Sequence, residues 1–432
     1  MLAVGAALLP MVIAACGPPS AAPSHAGTAR SGEASPPPHS NCLVAPATCY
    51  TPQVFRTAYG ISALLERGID GRGQTVVMPE VAEQPGRDAS DIRQDMARFD
   101  SLFGLPGAQL RVENSLAGAA SPWLAGGEEV EDAEMVHAVA PAAAITIVLV
   151  KQSAVSSPAD FTTALTAFLR LGATLGGVLS ISATIGEHYL TPAEVAGWDA
   201  ALQVDRDHQV TVVVASGDKG AASDLHFGTT TPVREVSLPA SDPLVLVAGG
   251  TSLTADRASG AYIGETAWNT LPALPSGDDS SASGGGFSHL FARPGYQEGV
   301  PGVEATRGVP DVAGDAAFDT GMAVADRAAG QAIVRPATGT SAAAPFWAGL
   351  VALADQIAHR HLGFINPAIY QIAGSSQYHQ AFHDVTAGDN AFVYPPTTIT
   401  GYQAAPGWDP VTGWGSPDAQ VLVPMLARYA SG

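Results

Sequence analysis

The sequence predicts an α/β fold, a mostly parallel central sheet with helices on both faces, and two observations carry that expectation. From Thr51 onward, short β-branched runs alternate with longer amphipathic segments, the pattern of buried parallel strands joined by helices. At 46% hydrophobic and 14% charged the chain has material for a large core, while 47 Gly and 33 Pro demand many turns. Global disorder and coiled coil are excluded. Among the 432 residues, 40 Asp and Glu face 20 Lys and Arg, a formal charge of −20. That balance excludes a nucleic-acid binder driven by phosphate neutralisation.

The amino terminus comes first. Leu2 to Ala15 is almost continuously apolar and too short to span a bilayer comfortably, as in a secretory leader. No later run approaches membrane-spanning length. The stretch Ile13-Ala14-Ala15-Cys16-Gly17 looks like a bacterial lipoprotein box, so residues 1–16 read as a signal with Cys16 as the lipid-bearing residue. An ordinary signal peptide is the alternative. Residues 17–48, rich in Pro, Ser, Ala and Gly, cannot bury enough surface to fold and read as a tether. Cys42 and Cys49 are the only other cysteines, and so close a pair in an exported chain points to a small disulfide loop. With no Cys-x-x-Cys and no His-Glu-x-x-His, a cysteine-rich zinc site or a zincin has no support.

Residues 49–432 read as one domain. Strands are expected at Thr75–Met78, Ile145–Val150, Val178–Ser182, Val210–Ala215 and Leu244–Ala248. Helices are expected at Ala89–Phe103, Glu128–Val139, Pro158–Leu171, Pro192–Asp207 and Ser341–His361. The Gly- and Ser-rich stretch Ser276–Ser288 is placed at the sheet's edge, where sites form.

The sharpest local signal is Gly339-Thr340-Ser341-Ala342-Ala343-Ala344-Pro345, small residues running into a long apolar helix. A serine there sits beside backbone N–H groups and the positive end of the helix dipole, a setting suited to acyl transfer. An N-cap is the competing role for Ser341. None of the eleven histidines has the His-Gly-Thr setting of a subtilisin-type base. Instead, Glu128 and Asp132 lie four residues apart on one helical face, where two acids repel unless both meet water or one holds a shared proton. A solvated face is the competing explanation, because Glu129, Glu131 and Glu134 decorate the same helix. A third acid, Asp218, falls just past the strand Val210–Ala215 in Ser216-Gly217-Asp218-Lys219-Gly220.

At this point the chain resembles the sedolisins, serine-carboxyl peptidases with a subtilisin-like fold in which a glutamate replaces histidine as the base. Tyr50-Thr51-Pro52, Arg56 to Ile61, Pro239-Ala240-Ser241, Gly249-Gly250-Thr251, Gly284 to Ser288, Gly308-Val309-Pro310-Asp311-Val312 and Pro406 to Pro410 look like family segments in family order. The resemblance implies Ser341 as nucleophile, Glu128 as general base, Asp132 as the acid that orients it and shares its proton, and Asp218 as the oxyanion partner. It places Glu80 in an extension of the acid network, with a solvated loop acid as the alternative. It further implies one structural Ca2+ held by Asp384 and Asp409 with the carbonyls of Val385, Ala405 and Gly407, an oxygen set that calcium favours. Ala405 stands where the family commonly has glycine.

Acid operation is expected, since a carboxylate base works best near its own pKa, roughly 4 to 5, and Asp218 can donate to an oxyanion only when protonated. The expected partner is a protein or peptide substrate, with a membrane met only through a lipid on Cys16, no nucleic acid, and a monomeric chain. Ala183-Thr184 follow Ile181-Ser182 where relatives usually carry an aromatic residue and glycine, so cleft preference is not carried over. Relatives are mostly made with a large prosegment, whereas here residues 1–48 precede the domain; a need for acid would keep an exported chain silent at neutral pH. The runner-up reading is a catalytically silent peptide-binding domain of the same fold. An esterase or lipase lacks its Gly-x-Ser-x-Gly elbow.

Overall fold

Successive residues of the central strands face opposite ways, and in this chain both directions are apolar. Val76 and Met78 enter one core while Val77 enters another, and Val213 and Val214 divide likewise. Strands of that kind need cover on both faces, which is why their sequences are continuous apolar runs instead of alternating ones. The computed structural model describes residues 42, 49–86, 89–223, 233–271, 280–328, 330–394 and 397–429, with residues 154, 155 and 429 described in backbone only. The signal with Cys16 and nearly all of the tether lie outside the described residues, as do residues 276–279 of the Gly- and Ser-rich stretch.

The main sheet contains β1 (Thr75–Val81), β2 (Gln109–Glu113), β3 (Ala144–Val150), β4 (Val178–Ile181), β5 (Thr211–Ala215), β6 (Leu246–Ala255), β7 (Tyr262–Ala267) and β8 (Val312–Asp315). Their order is β7-β6-β5-β4-β1-β3-β2, with β8 also paired to β6. All pairings are parallel except β6 with β7. A hairpin of β9 (Ala323–Ala328) and β10 (Gln331–Pro336) lies outside this sheet.

Helices α1 (Ile92–Phe103), α2 (Gly127–Val139), α3 (Pro158–Leu175), α4 (Pro192–Asp207), α5 (Thr340–Ala358) and α6 (Ala419–Tyr429) supply the cover. The larger core joins α2, α5 and α6 to one face through Val136, Val139, Phe346, Leu350 and Leu426. On the other face, Phe168 of α3 and Trp198 of α4 pack on Leu179 and Val212. All five expected strands and all five expected helices are present, with shifted ends. Helix α5 stops at Ala358 because His359 takes a left-handed conformation, and α1 starts at Ile92, capped by the Asp91 side chain. Edge strands β2 and β7 carry exposed polar residues and no continuous apolar run, so periodicity does not reveal them. Cys42 and Cys49 are joined by a disulfide, as the close pair led us to expect.

Several acids are buried with no ion-pair partner among the described residues. Burial pushes Asp205 and Asp242 up to about 7 and Asp315 to about 8. Neither carboxyl oxygen of Asp205 has a hydrogen-bond partner among the described residues. In the unfolded chain these groups ionise near ~4. Their contribution to stability is therefore complete below pH ~4 and is lost as pH rises through 7 and 8, when the folded state must ionise them in place. Thermal unfolding should show a higher Tm at pH 4.5 than at pH 8. Asp205→Asn should raise Tm at pH 8 and leave it nearly unchanged at pH 4.5; equal effects at both values would contradict the assignment.

Candidate active site

Gly339 turns into α5 with φ +77, a backbone state that side chains disfavour, and so sets Thr340 and Ser341 in the helix's first turn. First-turn N–H groups have no intrahelical acceptor. Here that of Thr340 donates to Asp218 Oδ1 at 2.8 Å, and the Thr340 hydroxyl donates to the same oxygen at 2.8 Å. The Thr340 hydroxyl also accepts the Gly217 N–H at 3.0 Å, so the loop after β5 is tied to the start of α5 by three bonds. The Ala342 N–H returns to the Gly339 carbonyl, whereas the Ser341 N–H has no acceptor among the described residues. Gly284 donates its N–H to the Gly217 carbonyl, and a Cβ at Gly284 would meet the Ser216 carbonyl oxygen at 2.2 Å. The described part of the Gly- and Ser-rich stretch therefore walls the Asp218 loop, in the region expected of it.

Helix α2 supplies the facing acids. Glu128 stands beside Ser341, close enough for the serine side chain to act on its carboxyl. Its carboxyl is pushed well above the usual range, first by burial and then by the charges of Asp132 and Glu131, while the Ser341 contact pulls it down. One turn on, Asp132 is fully buried and accepts the Ser182 hydroxyl at 2.7 Å. Burial raises Asp132 as well, partly offset by the Ser182 bond and by a bond from Glu80. Glu80 lies inside β1, not after it as expected, and is buried with its own carboxyl raised, chiefly by burial and by the Asp132 charge. Buried side by side, Glu80 and Asp132 cannot both be ionised.

The solvated-face explanation fails, because Glu129, Glu131 and Glu134 are all buried. Glu131 meets Arg335 of β10 and accepts the Thr338 N–H at 2.8 Å. The Arg335 guanidinium also pairs with Asp326 and donates to the Gly127 carbonyl at 2.9 Å. One cation thereby connects the start of α2, which bears Glu128, to the strand that leads into Ser341. Sequence reading missed Arg335, and its only signal is being the sole charge in the apolar and small-residue run Ala332–Pro345.

The five residues expected around calcium are also brought together. The Gly407 N–H lies 3.1 Å from both oxygens of Asp384, and Ala405 donates its N–H to Asp409 Oδ2 at 3.1 Å. The Thr412 hydroxyl bridges Asp409 Oδ2 at 3.1 Å and the Val385 carbonyl at 3.4 Å, which puts that carbonyl beside the carboxylate. Ala405 does not adopt a positive φ, so alanine at this position carries no strain. A different group, Glu187, Glu235 and His289, brings three ligand atoms within 4.8 Å of one another and could hold a metal ion. Sequence reading did not single it out, since its members come from three separate segments.

The sheet, its two covered faces and a serine at a helix start opposite buried acids define a subtilisin-like α/β protein. No family model matches the chain. It is 33% identical over 396 residues to kumamolisin of Bacillus sp. (strain MN-32), which covers 89% of this chain and 65% of that protein. Sedolisin of Pseudomonas sp. (strain 101) is 37% identical over 223 residues, 51% of this chain and 36% of the relative. The chain thus spans less than two thirds of the length of these curated relatives. Among solved structures, Pseudomonas sedolisin complexed with two molecules of pseudo-iodotyrostatin superposes with a TM-score of 0.71 at 28% identity, over 87% of this chain and 97% of that one. Over most of its length the chain is thus similar to the sedolisins, serine-carboxyl peptidases.

Removing Arg335 leaves Glu131 and Asp326 buried beside one another without a cation. Arg335→Met should lower unfolding free energy by about 3–5 kcal/mol at pH 7. The loss should be smaller at pH 4, where the stranded acids take up protons. Urea denaturation at the two values reads both numbers.

Proposed function

We propose that the chain is an acid-acting serine endopeptidase in which Ser341 forms the acyl-enzyme and Glu128 is the general base. The observation that carries this reading is that Ser182 joins Asp132 to the Ser341 backbone, which sets Glu128, one turn before Asp132, beside Ser341 among buried acids. In acylation Ser341 Oγ bonds to the carbonyl carbon of the substrate while its proton passes to Glu128. The carbonyl oxygen becomes an oxyanion, met by the Ser341 N–H and by Asp218 as a protonated donor. Collapse breaks the C–N bond, and the proton on Glu128 leaves with the amine. Water then attacks the ester, with Glu128 taking its proton and returning it to Ser341 Oγ. Asp132 orients Glu128, and Glu80 and Ser182 are the groups that share the cost of its charge.

The pH limits follow from those roles. Below the Glu128 pKa the base is protonated and cannot accept; above that of Asp218 the donor becomes a repelling anion. Because Glu128 is raised, the acid limb lies above that of an ordinary carboxylate. Digestion of an unfolded protein between pH 2.5 and 7.5 should be confined to acid. Ser341→Ala and Glu128→Gln should each lower it by roughly 10³-fold or more, with folding intact by circular dichroism. A parent chain that digests nothing, or digests equally at pH 4 and pH 7, would sink the reading.

Calcium belongs to the same proposal. The residues fit: two anchored carboxylates, the adjacent Val385 carbonyl and the carbonyls of Ala405 and Gly407 form an all-oxygen set of the kind this ion takes. When bound, the ion would neutralise Asp384 and Asp409 and lock the loop from Ala405 to Thr412. Chelation with EGTA should lower Tm by several degrees, Ca2+ should restore it and Mg2+ should not; Asp409→Asn should abolish the response. A Tm indifferent to chelator and ion would remove calcium from the account. Export, with the chain held at a bacterial surface through lipid on Cys16, completes the proposal and rests on the sequence alone.

A further inference from the structure

Ser182 lies one residue beyond the end of β4, and its hydroxyl has two neighbours of different kinds. It donates to Asp132 Oδ2 at 2.7 Å, and it sits 3.3 Å from the backbone carbonyl of Ser341. An alcohol has a single proton, so the shorter contact is the main bond and the longer one its branch. The carbonyl is available because of Pro345. In an uninterrupted helix the Ser341 C=O would accept the N–H four residues on, and proline has none. The hydroxyl thus stands between the acid behind the base and the backbone of the nucleophile, replacing a helical bond that the sequence has deleted.

We propose that Ser182 is a positioning residue that sets the proton's distribution between Glu128 and Asp132 while holding the Ser341 turn in register. The inference rests on the peptidase reading for its kinetic part only. A hydrogen bond donated to a carboxyl stabilises its charged form. With Ser182 present, Asp132 tolerates charge despite burial and despite the acids that surround it: Glu80 on β1, and Glu128, Glu129 and Glu131 on its own helix. The one cation in this neighbourhood, Arg335, is bonded to Glu131 and Asp326. Removing the hydroxyl makes Asp132 the stronger holder of the shared proton, loosens its rotamer and leaves the Ser341 carbonyl without a donor.

The test uses Ser182→Ala and Ser182→Thr in the full chain, with two readouts. The titration of the Asp132 carboxyl, followed by 13C NMR, should move up by about one pH unit in Ser182→Ala and return towards the parent value in Ser182→Thr, which keeps a hydroxyl. Peptide hydrolysis should show kcat down roughly 10- to 100-fold in Ser182→Ala with KM little changed, the acid limb of its pH profile moved down because Asp132 keeps the shared proton and leaves Glu128 ionised, and recovery in Ser182→Thr. An unmoved Asp132 titration overturns the proposal whether or not the chain is a peptidase. Alanine and threonine variants impaired alike also overturn it, because a purely steric role would do that. Should Ser182→Ala not fold, Ser182→Cys, a weak donor of similar size, takes its place in both measurements. A parent without hydrolysis counts against the peptidase reading alone, and the titration then decides this one.

Discussion

Carboxyl groups buried side by side cannot all be ionised, and the rest of this molecule is arranged around that constraint. Glu80, Glu128, Glu129, Glu131, Asp132 and Glu134 lie along α2 and on the strand β1 beside it, most of them with almost no access to water. Each charge placed there costs desolvation and repels its neighbours. Three devices relieve the cost. Glu131 has a cation in Arg335, Asp132 has donors in Ser182 and Glu80, and Glu134 has the Ala325 N–H. Glu80 has no such offset, and Glu128 has only the Ser341 side chain set against burial and its neighbours' charges. Its raised affinity for a proton is a consequence of where the others found partners.

The same accounting explains why the backbone is shaped as it is near Ser341. Asp218 takes two donors from Thr340, one backbone and one side chain, which binds the end of β5 to the start of α5. Gly339 supplies the left-handed turn, and Gly284 permits a second loop to close on the first at a distance no side chain would allow. A site assembled from β1, α2, β4, β5 and α5 depends on the parallel sheet for its alignment, because those strands deliver their loops to one edge. Stability and site are thereby coupled through Arg335, which holds the hairpin strand before Ser341 against the helix that carries Glu128.

Much of this was legible in the chain. Strands β1, β3, β4, β5 and β6 announce themselves as continuous apolar runs, and the Gly-Thr-Ser turn announces α5. Ser341, Glu128, Asp132 and Asp218 are brought together where the pattern placed them. What was not legible has a common physical cause. The acids Glu129, Glu131 and Glu134 look solvated in sequence, since nothing local shows that β9 and β10 will cover them. Glu80 reads as a loop acid because the strand's apolar run appears to end at Met78, while in the fold β1 continues to Val81 beside β3. Ser182 and Arg335 reach the acids of α2 across 50 and 204 residues, and no spacing rule registers such pairs.

Burial of acids also links the site to the behaviour of the whole molecule. Asp205, Asp242 and Asp315 share with Glu128 the preference for the protonated form that a low-dielectric setting imposes. A catalytic apparatus in which Asp218 must hold a proton to donate it, and a body whose buried carboxyls favour their neutral forms, are served by the same solution conditions. With −20 formal charges at neutral pH, self-repulsion adds to the penalty as pH rises, and protonation of surface carboxylates removes it as pH falls. Acid is then the medium in which this fold and its proposed chemistry make compatible demands, and neutral water is where both weaken together.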